Sequence, residues 1–171
     1  MAEVLVFSDS HGKSAGMLRA LAAQIKRPDL ILHLGDGARD LGEIADLGVP
    51  MLSVRGNCDL FACDSPEELI TEECGHRILI THGHRFGVKG GVGGLISYAV
   101  KQEVDIVLFG HTHCPYELCI PRGEELCGTK LQRNLYLFNP GSIGRNEDGQ
   151  GLSFGTISLQ RGAVLLSHGR V

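Results

Sequence analysis

Val4-Leu5-Val6-Phe7-Ser8-Asp9-Ser10-His11-Gly12 decides how the chain is read. Four apolar residues rich in β-formers run into a polar cluster that ends on glycine, the pattern of a buried strand stopping at a turn. The pattern recurs. Leu30-Ile31-Leu32-His33-Leu34 runs into Gly35-Asp36-Gly37, and Met51-Leu52-Ser53-Val54 runs into Gly56-Asn57. Between the first two runs, Leu18, Leu21, Ala22 and Ile25 sit at i, i+3, i+4 and i+7, which predicts a helix with one apolar stripe, closed by Pro28. Between the second and third, Asp40 and Glu43 form a capping-box pattern ahead of Ile44, Ala45 and Leu47, with Gly48 and Pro50 as the stop. Such a β-α-β-α-β unit implies parallel strands buried on both faces. Ligands of open α/β sheets bind beyond the carboxyl ends of the strands.

The same logic extends outward. Arg77 to Thr81 reads as a strand entering His82-Gly83-His84. The glycine-rich stretch from Gly87 to Gly94 lacks Gly-Lys-Ser/Thr, so it is no P-loop and reads as a mobile loop before a helix over about Leu95 to Gln102. Ile106 to Phe109 enters Gly110-His111-Thr112-His113. Later runs, Leu135 to Phe138, Phe154 to Leu159 and Ala163 to Ser167, are shorter strands, the last two joined by a hairpin at Gln160-Arg161-Gly162. The expected fold is α/β, one domain over residues 1–171, built as a four-layer α/β/β/α sandwich of two mixed sheets flanked by helices.

Composition narrows the function classes. The chain has 171 residues, 16 Lys+Arg and 20 Asp+Glu, a formal charge of −4. No basic block suits a nucleic-acid backbone, so that partner is not expected. No apolar run approaches the roughly 18 residues of a spanning helix, and the amino terminus lacks the basic and apolar regions of a signal peptide. A cytoplasmic location is therefore the expectation. The six cysteines could form three disulfides in a secreted chain, but without signal-peptide features they are expected as free thiols, and the C-x4-C pairs Cys58/Cys63 and Cys114/Cys119 are wider than usual zinc knuckles. A homo-oligomer stays open.

Five strand ends deliver metal-type ligands: Asp9 with His11, Asp36, Asn57, His82, and His111 with His113. Singly, each has a bland reading as a turn residue or a solvated side chain. Collected on one sheet edge they would bury polar groups in need of partners, and metal ions supply those partners. Seven ligands exceed one tetrahedral site and fit two ions sharing a carboxylate. A His-Asp-Asn mixture suits Mn, Fe, Zn or Ni.

These residues, in this order, resemble the motif series of the calcineurin-like metallophosphoesterases: Asp9-Ser10-His11, Gly35-Asp36, Gly56-Asn57-Cys58-Asp59, His82-Gly83, Gly110-His111-Thr112-His113 and Asn139-Pro140-Gly141-Ser142. The compact size and the Gly-Asn-Cys-Asp form are similar to the small bacterial and archaeal phosphodiesterase branch. The resemblance implies that Asp9, His11, Asp36 and His113 hold one divalent transition-metal ion and Asp36, Asn57, His82 and His111 a second, with Asp36 bridging. It further implies manganese as first choice, a hydroxide between the ions as nucleophile, and a small phosphoester as substrate.

The chain departs from the family at Cys58, where many relatives carry His. A thiol with a pKa near 8.5 is mostly neutral and carries no imidazolium charge. Diesters are therefore expected over unactivated monoesters, with Cys58 and Asp59 as uncertain catalytic candidates and Asp59 able to orient a histidine placed at 58. His84 and Arg145 are weaker substrate candidates, and Asn139 is a candidate to hold a ligand histidine. His33 reads as a core residue, and His76 and His168 carry no motif. Three rivals remain: a metal-binding scaffold resembling the retromer subunit of the same fold; a phosphomonoesterase, which Cys58 disfavours; and a nuclease, for which the acidic balance offers no nucleic-acid track beyond a small oligonucleotide end.

Overall fold

The computed structural model describes residues 1–59, 64–147 and 149–171. The chain runs β1 (Ala2–Phe7), α1 (Ala15–Ala22), β2 (Leu30–His33), a 3-10 helix (Ala38–Leu47), β3 (Met51–Ser53), β4 (Glu68–Glu73), β5 (His76–Thr81), α2 (Gly93–Lys101), β6 (Ile106–Leu108), β7 (Pro115–Ile120), β8 (Glu125–Leu126), β9 (Thr129–Lys130), β10 (Leu135–Pro140), β11 (Ser153–Gln160) and β12 (Ala163–Arg170). A short 3-10 turn, His84–Phe86, follows β5. Two five-stranded mixed sheets result, ordered β12-β11-β1-β2-β3 and β4-β5-β6-β10-β7, and β8 pairs with β9 apart. In the first sheet β1, β2 and β3 are parallel; in the second β5, β6 and β10 are parallel.

Strand alternation builds the layers. Val4 and Val6 of β1 face the space between the sheets with Leu32, Ile80, Ile106, Phe138 and Ile157. Leu5 and Phe7 face outward, under Met17 and Ala20 of α1 and Leu41 and Ile44 of the 3-10 helix. On the other side Leu79, Val107 and Leu137 pack under Leu95 and Ala99 of α2. The layers are helix, sheet, sheet, helix. Phe7, Phe109 and Phe138 are fully buried, and each such side chain contributes on the order of 1.5–3 kcal/mol to the folded state.

Three local expectations are corrected. The helix after β1 stops at Ala22, and its buried face is Gly16, Met17 and Ala20, while Leu18 is half exposed and Ile25 fully exposed. A Cβ at Gly16 would meet the Ile143 carbonyl at 2.5 Å. Close approach of small residues, invisible to a count of large apolar ones, sets that face. The segment after β2 has no side-chain cap, because the Asp40 carboxylate is turned away to the Ser10 hydroxyl and the Gly12 amide. The glycine-rich stretch is a series of hydrogen-bonded turns with Val88 buried, and α2 already starts at Gly93. The edge strands β4 and β7 were not expected; Glu and Cys interrupt their alternation on the exposed side.

Candidate metal centre

The carboxyl ends of β1, β2, β5 and β6 meet at one edge, where their loops are tied by backbone bonds. Asp9 donates its amide to Gly35, His11 to Asp36, and Gly110 to His82. Eight non-glycine residues have positive φ among the described residues. Five of them are Asp9 (55°), His11 (48°), Asp36 (56°), His111 (69°) and His113 (61°). This left-handed region is costly for side-chain-bearing residues, and such outliers cluster at functional sites. Glycines allow the closeness. A Cβ at Gly56 would meet Asp36 Oδ1 at 2.1 Å, and one at Gly110 would meet Ser8 Oγ at 2.0 Å.

Four of the donor side chains engage one atom outside the crevice and leave another facing into it. Asp9 Oδ2 accepts the Ser8 hydroxyl at 2.5 Å and the His111 amide at 3.1 Å. Asp36 Oδ1 accepts the Cys58 amide at 2.7 Å. His82 Nδ1 lies 2.7 Å from the Leu34 carbonyl, and His113 Nδ1 lies 2.7 Å from Glu147 Oε1. The free atoms converge. Asp9 Oδ1 stands 3.1 Å from His113 Nε2 and 3.9 Å from both His11 Nε2 and His82 Nε2. Asp36 Oδ2 stands 3.4 Å from His82 Nε2 and 4.0 Å from His11 Nε2. His11 Nε2 and His113 Nε2 face each other at 3.3 Å. The donors group as Asp9-His11-His113, Asp36-His82-His111 and His11-Asp36-Cys58. Asp36 and His11 each belong to two of these groups.

The electrostatics favour ionised carboxylates. Burial raises the Asp9 pKa, but His113, His82 and Ser8 outweigh it and hold it below the usual value. Burial also opposes ionisation of Asp36, and His82 with the Cys58 amide overcomes it. His82 is raised because Asp36, Asp9 and the Leu34 carbonyl outweigh burial, and His113 is raised first by Asp9. His11 is lowered by burial and by Arg145. His111, lowered by burial and by His82 to about 4, is a neutral imidazole at neutral pH.

Other candidates fall around this core. Asn57 is exposed, and its amide nitrogen contacts Cys58 Sγ at 3.3 Å rather than a histidine or carboxylate. Cys58 is at the rim, its thiol pushed up to about 11 by burial and by Asp36. Asp59 corrects an expectation: its carboxylate accepts the amides of Asp36, Gly37 and Gly56, so both oxygens serve the loops and are not free to orient a neighbour. Asn139 bonds the Gly110 carbonyl and Thr112 Oγ1 instead of a ligand histidine. It holds the loop that carries His111 and His113. His84 is adjacent, its ring 5.4 Å from His82 and 6.1 Å from His111. Arg145 is half exposed, and its charge acts on His11 and Cys58.

Three supporting roles escaped the sequence reading, although Ser142 stands in the Asn139-Pro140-Gly141-Ser142 motif and His33 was read as a core residue. Glu147 fixes His113 from an otherwise unremarkable acidic loop. Ser142 accepts two loop amides and donates to the Asp9 carbonyl. His33 is buried as expected, yet it also serves the site: its Nδ1 accepts the Gly35 amide and its Nε2 meets Ser10 Oγ, which donates to Asp40. Among the described residues Cys58, Cys74, Cys114, Cys119 and Cys127 are free, and no donor group contains Cys114 or Cys119. Cys63 lies outside the described residues.

Metal ions fit these residues. Asp9 Oδ1 and His82 Nε2 are buried without hydrogen-bond partners, an arrangement too costly to leave unpaired. Anchored Nδ1 atoms leave Nε2 atoms aimed at free carboxylate oxygens, the usual outer support of a metal-binding histidine. The N/O donor set suits intermediate divalent ions.

Comparison with known proteins agrees. The model of the calcineurin-like phosphoesterase superfamily domain matches residues 2–162. The probable metallophosphoesterase YsnB of Bacillus subtilis is 32% identical over 140 residues, covering 82% of this chain and 74% of that one. Phosphodiesterase YfcE of Escherichia coli K12 is 29% identical over 129 residues, covering 70% and 57%. A conserved Streptococcus pneumoniae TIGR4 protein, described as a predicted phosphoesterase, superposes with a TM-score of 0.72 at 26% identity, covering 98% and 88%. Vacuolar Protein Sorting 29 of Cryptosporidium parvum superposes with 0.71 at 18% identity, covering 98% and 96%, a likeness of fold. Matched over almost its whole length, with its metal-type donors at one sheet edge, the chain belongs to the calcineurin-like phosphoesterase superfamily.

Proposed function

We propose that the chain is a metal-dependent phosphodiesterase acting on a small phosphoester, with two divalent transition-metal ions, manganese first and Fe, Zn or Ni as alternatives. One observation carries this. Two carboxylate oxygens and three imidazole nitrogens face one another at 3.1–4.0 Å, both carboxylates and the His82 ring being held from behind by other bonds, and Asp36 belongs to two donor groups. On this reading Asp9, His11, Asp36 and His113 would hold one ion, and Asp36, Asn57, His82 and His111 the other. Two such ions supply a nucleophile at neutral pH and neutralise an in-line phosphoryl transition state.

The chain's own residues do the rest. Asp9 and Asp36 remain ionised and give the crevice its ligand charge. Asp59, Asn139 and Ser142 bond the backbone of the loops that carry Asp9, Asp36, His111 and His113. Arg145, half exposed and electrostatically coupled to His11 and Cys58, would offer its guanidinium fork to two non-bridging phosphate oxygens. Cys58 supplies no proton to a leaving group, since its thiol lies well above neutral. Diesters and esters with good leaving groups are favoured for that reason.

The test is hydrolysis of bis(p-nitrophenyl) phosphate with added manganese. Chelator should abolish turnover, and His111→Ala should lower it by about 10²-fold or more, as loss of one well-placed electrostatic donor does. A scaffold of the same fold is the rival, supported by the Vacuolar Protein Sorting 29 likeness. Equal rates for wild type and His111→Ala would select the scaffold.

A further inference from the structure

A second polar cavity of about 530 Å³ lies at the opposite edge of the sheets. His76 begins β5 and Asp105 precedes β6, and both are buried in its floor. β5 has six residues, so at roughly 3.3 Å per residue this floor is on the order of 20 Å from His82. Arg122, Arg133 and Arg161 form the rim.

The charge balance is unlike that of the chain. Three guanidiniums face one carboxylate here, in a protein of net charge −4. Arg133 is bonded to Asp105 Oδ2 at 3.0 Å and to the Gly75 carbonyl. Among the described residues no carboxylate lies within 4 Å of the Arg122 or Arg161 guanidinium. The rim is also held in place. Asn134 accepts the Arg122 amide at 2.9 Å and donates to the Tyr136 hydroxyl at 3.1 Å, clamping both arms of the connection from β7 to β10. In the floor, His76 Nε2 is engaged by the Gln160 carbonyl at 2.9 Å. His76 Nδ1 is buried with no hydrogen-bond partner, 3.8 Å from Asp105 Oδ2.

We propose that this cavity is a second binding site, distinct from the metal centre, for a small anion carrying a phosphate-type group. Guanidinium forks match tetrahedral oxyanions bidentately. A volume of about 530 Å³ lies within the range of small-molecule sites, roughly 300–1,000 Å³. Free phosphate and an organic phosphate share the recognised chemistry.

The experiment is an amide NMR titration of the full chain in the presence of zinc, with inorganic phosphate and with phenylphosphonate, whose C–P bond resists hydrolysis. Both probes are expected to shift the amides of Gly75, Arg122 and Arg133 on an isotherm separate from that of Gly110 and His113. Tighter binding of phenylphosphonate would identify an organic phosphate as the ligand, and tighter binding of phosphate a free anion. The double variant Arg122→Gln/Arg161→Gln, altered only at exposed side chains, should weaken the distal isotherm at least tenfold while diester turnover stays unchanged. Shifts confined to the metal edge, or wild-type distal affinity in the double variant, would overturn the proposal.

Discussion

Replacing Glu147 probes whether the site is organised for metal. Its Oε1 lies 2.7 Å from His113 Nδ1, which leaves His113 Nε2 directed at Asp9 Oδ1. The contact is a close ion pair outside hydrogen-bond geometry, and the Glu147 side chain is 49% exposed, so its direct contribution is at most about 1 kcal/mol. Its larger effect is to orient the ring, and a residue that supports a metal ligand is typically worth roughly 10–100-fold in affinity, here at the lower end. Glu147→Ala should therefore weaken one of two bound ions about tenfold. Glu147→Gln keeps an acceptor oxygen and should cost about threefold, because a neutral acceptor holds the ring roughly half as strongly. The assay is competition against a chromophoric chelator, followed by turnover at saturating metal, which should recover to wild-type level. Unchanged affinity in Glu147→Ala would refute the supporting role. Lost turnover with both ions bound would show that Glu147 acts on substrate instead.

Other outcomes follow from the same geometry. Reconstituted and desalted protein should retain close to two ions per chain by elemental analysis, and Asp36→Ala should lose more metal than His11→Ala or His113→Ala. One ion or none with each of Mn, Fe, Zn and Ni would end the two-ion reading. Cys58→Ala should keep activated-diester kcat/KM within about tenfold, since that leaving group needs no proton and the Asp36 anchor comes from the Cys58 backbone. Cys58→His should shift the diester-to-monoester ratio toward monoesters, through the imidazole alone because Asp59 is committed to loop amides. Abolished diester turnover in Cys58→Ala with metal retained would make the thiol catalytic. Burial lowers the His33 pKa to about 4, so the unfolded chain binds that proton first as pH falls. The stability of the metal-free protein should thus be full above about pH 6.5 and decline toward about pH 4, by about 3 kcal/mol from this residue at about 1.4 kcal/mol per pH unit. His33→Gln should flatten that part of a denaturation-versus-pH curve, and an unchanged slope would refute the assignment.

The sequence alone determined the alternation of strand and helix and the edge at which function would lie. Each buried strand must exit through a turn, so a polar cluster after an apolar run marks a carboxyl end, and parallel strands put those ends together. Asp9, His11, Asp36, His82, His111 and His113 were legible for that reason, and so was the Arg161-Gly162 hairpin, where Gly162 adopts φ 81°. Side-chain direction and long-range pairing were not written there. Which face of α1 is buried depends on the close approach of Gly16 to Ile143. Whether Asp40 caps a helix or bonds Ser10 depends on the neighbouring β1 loop. Asp59 and Asn139 look like site residues in a one-dimensional reading, but the fold spends their hydrogen bonds on backbone amides and carbonyls. Glu147 and the arginine-rimmed cavity have no local signature, because their partners come from strands far apart in the chain. Local periodicity is a property of neighbours in sequence. The contacts that anchor one atom of a ligand and free another arise between segments, and only tertiary structure brings those segments together.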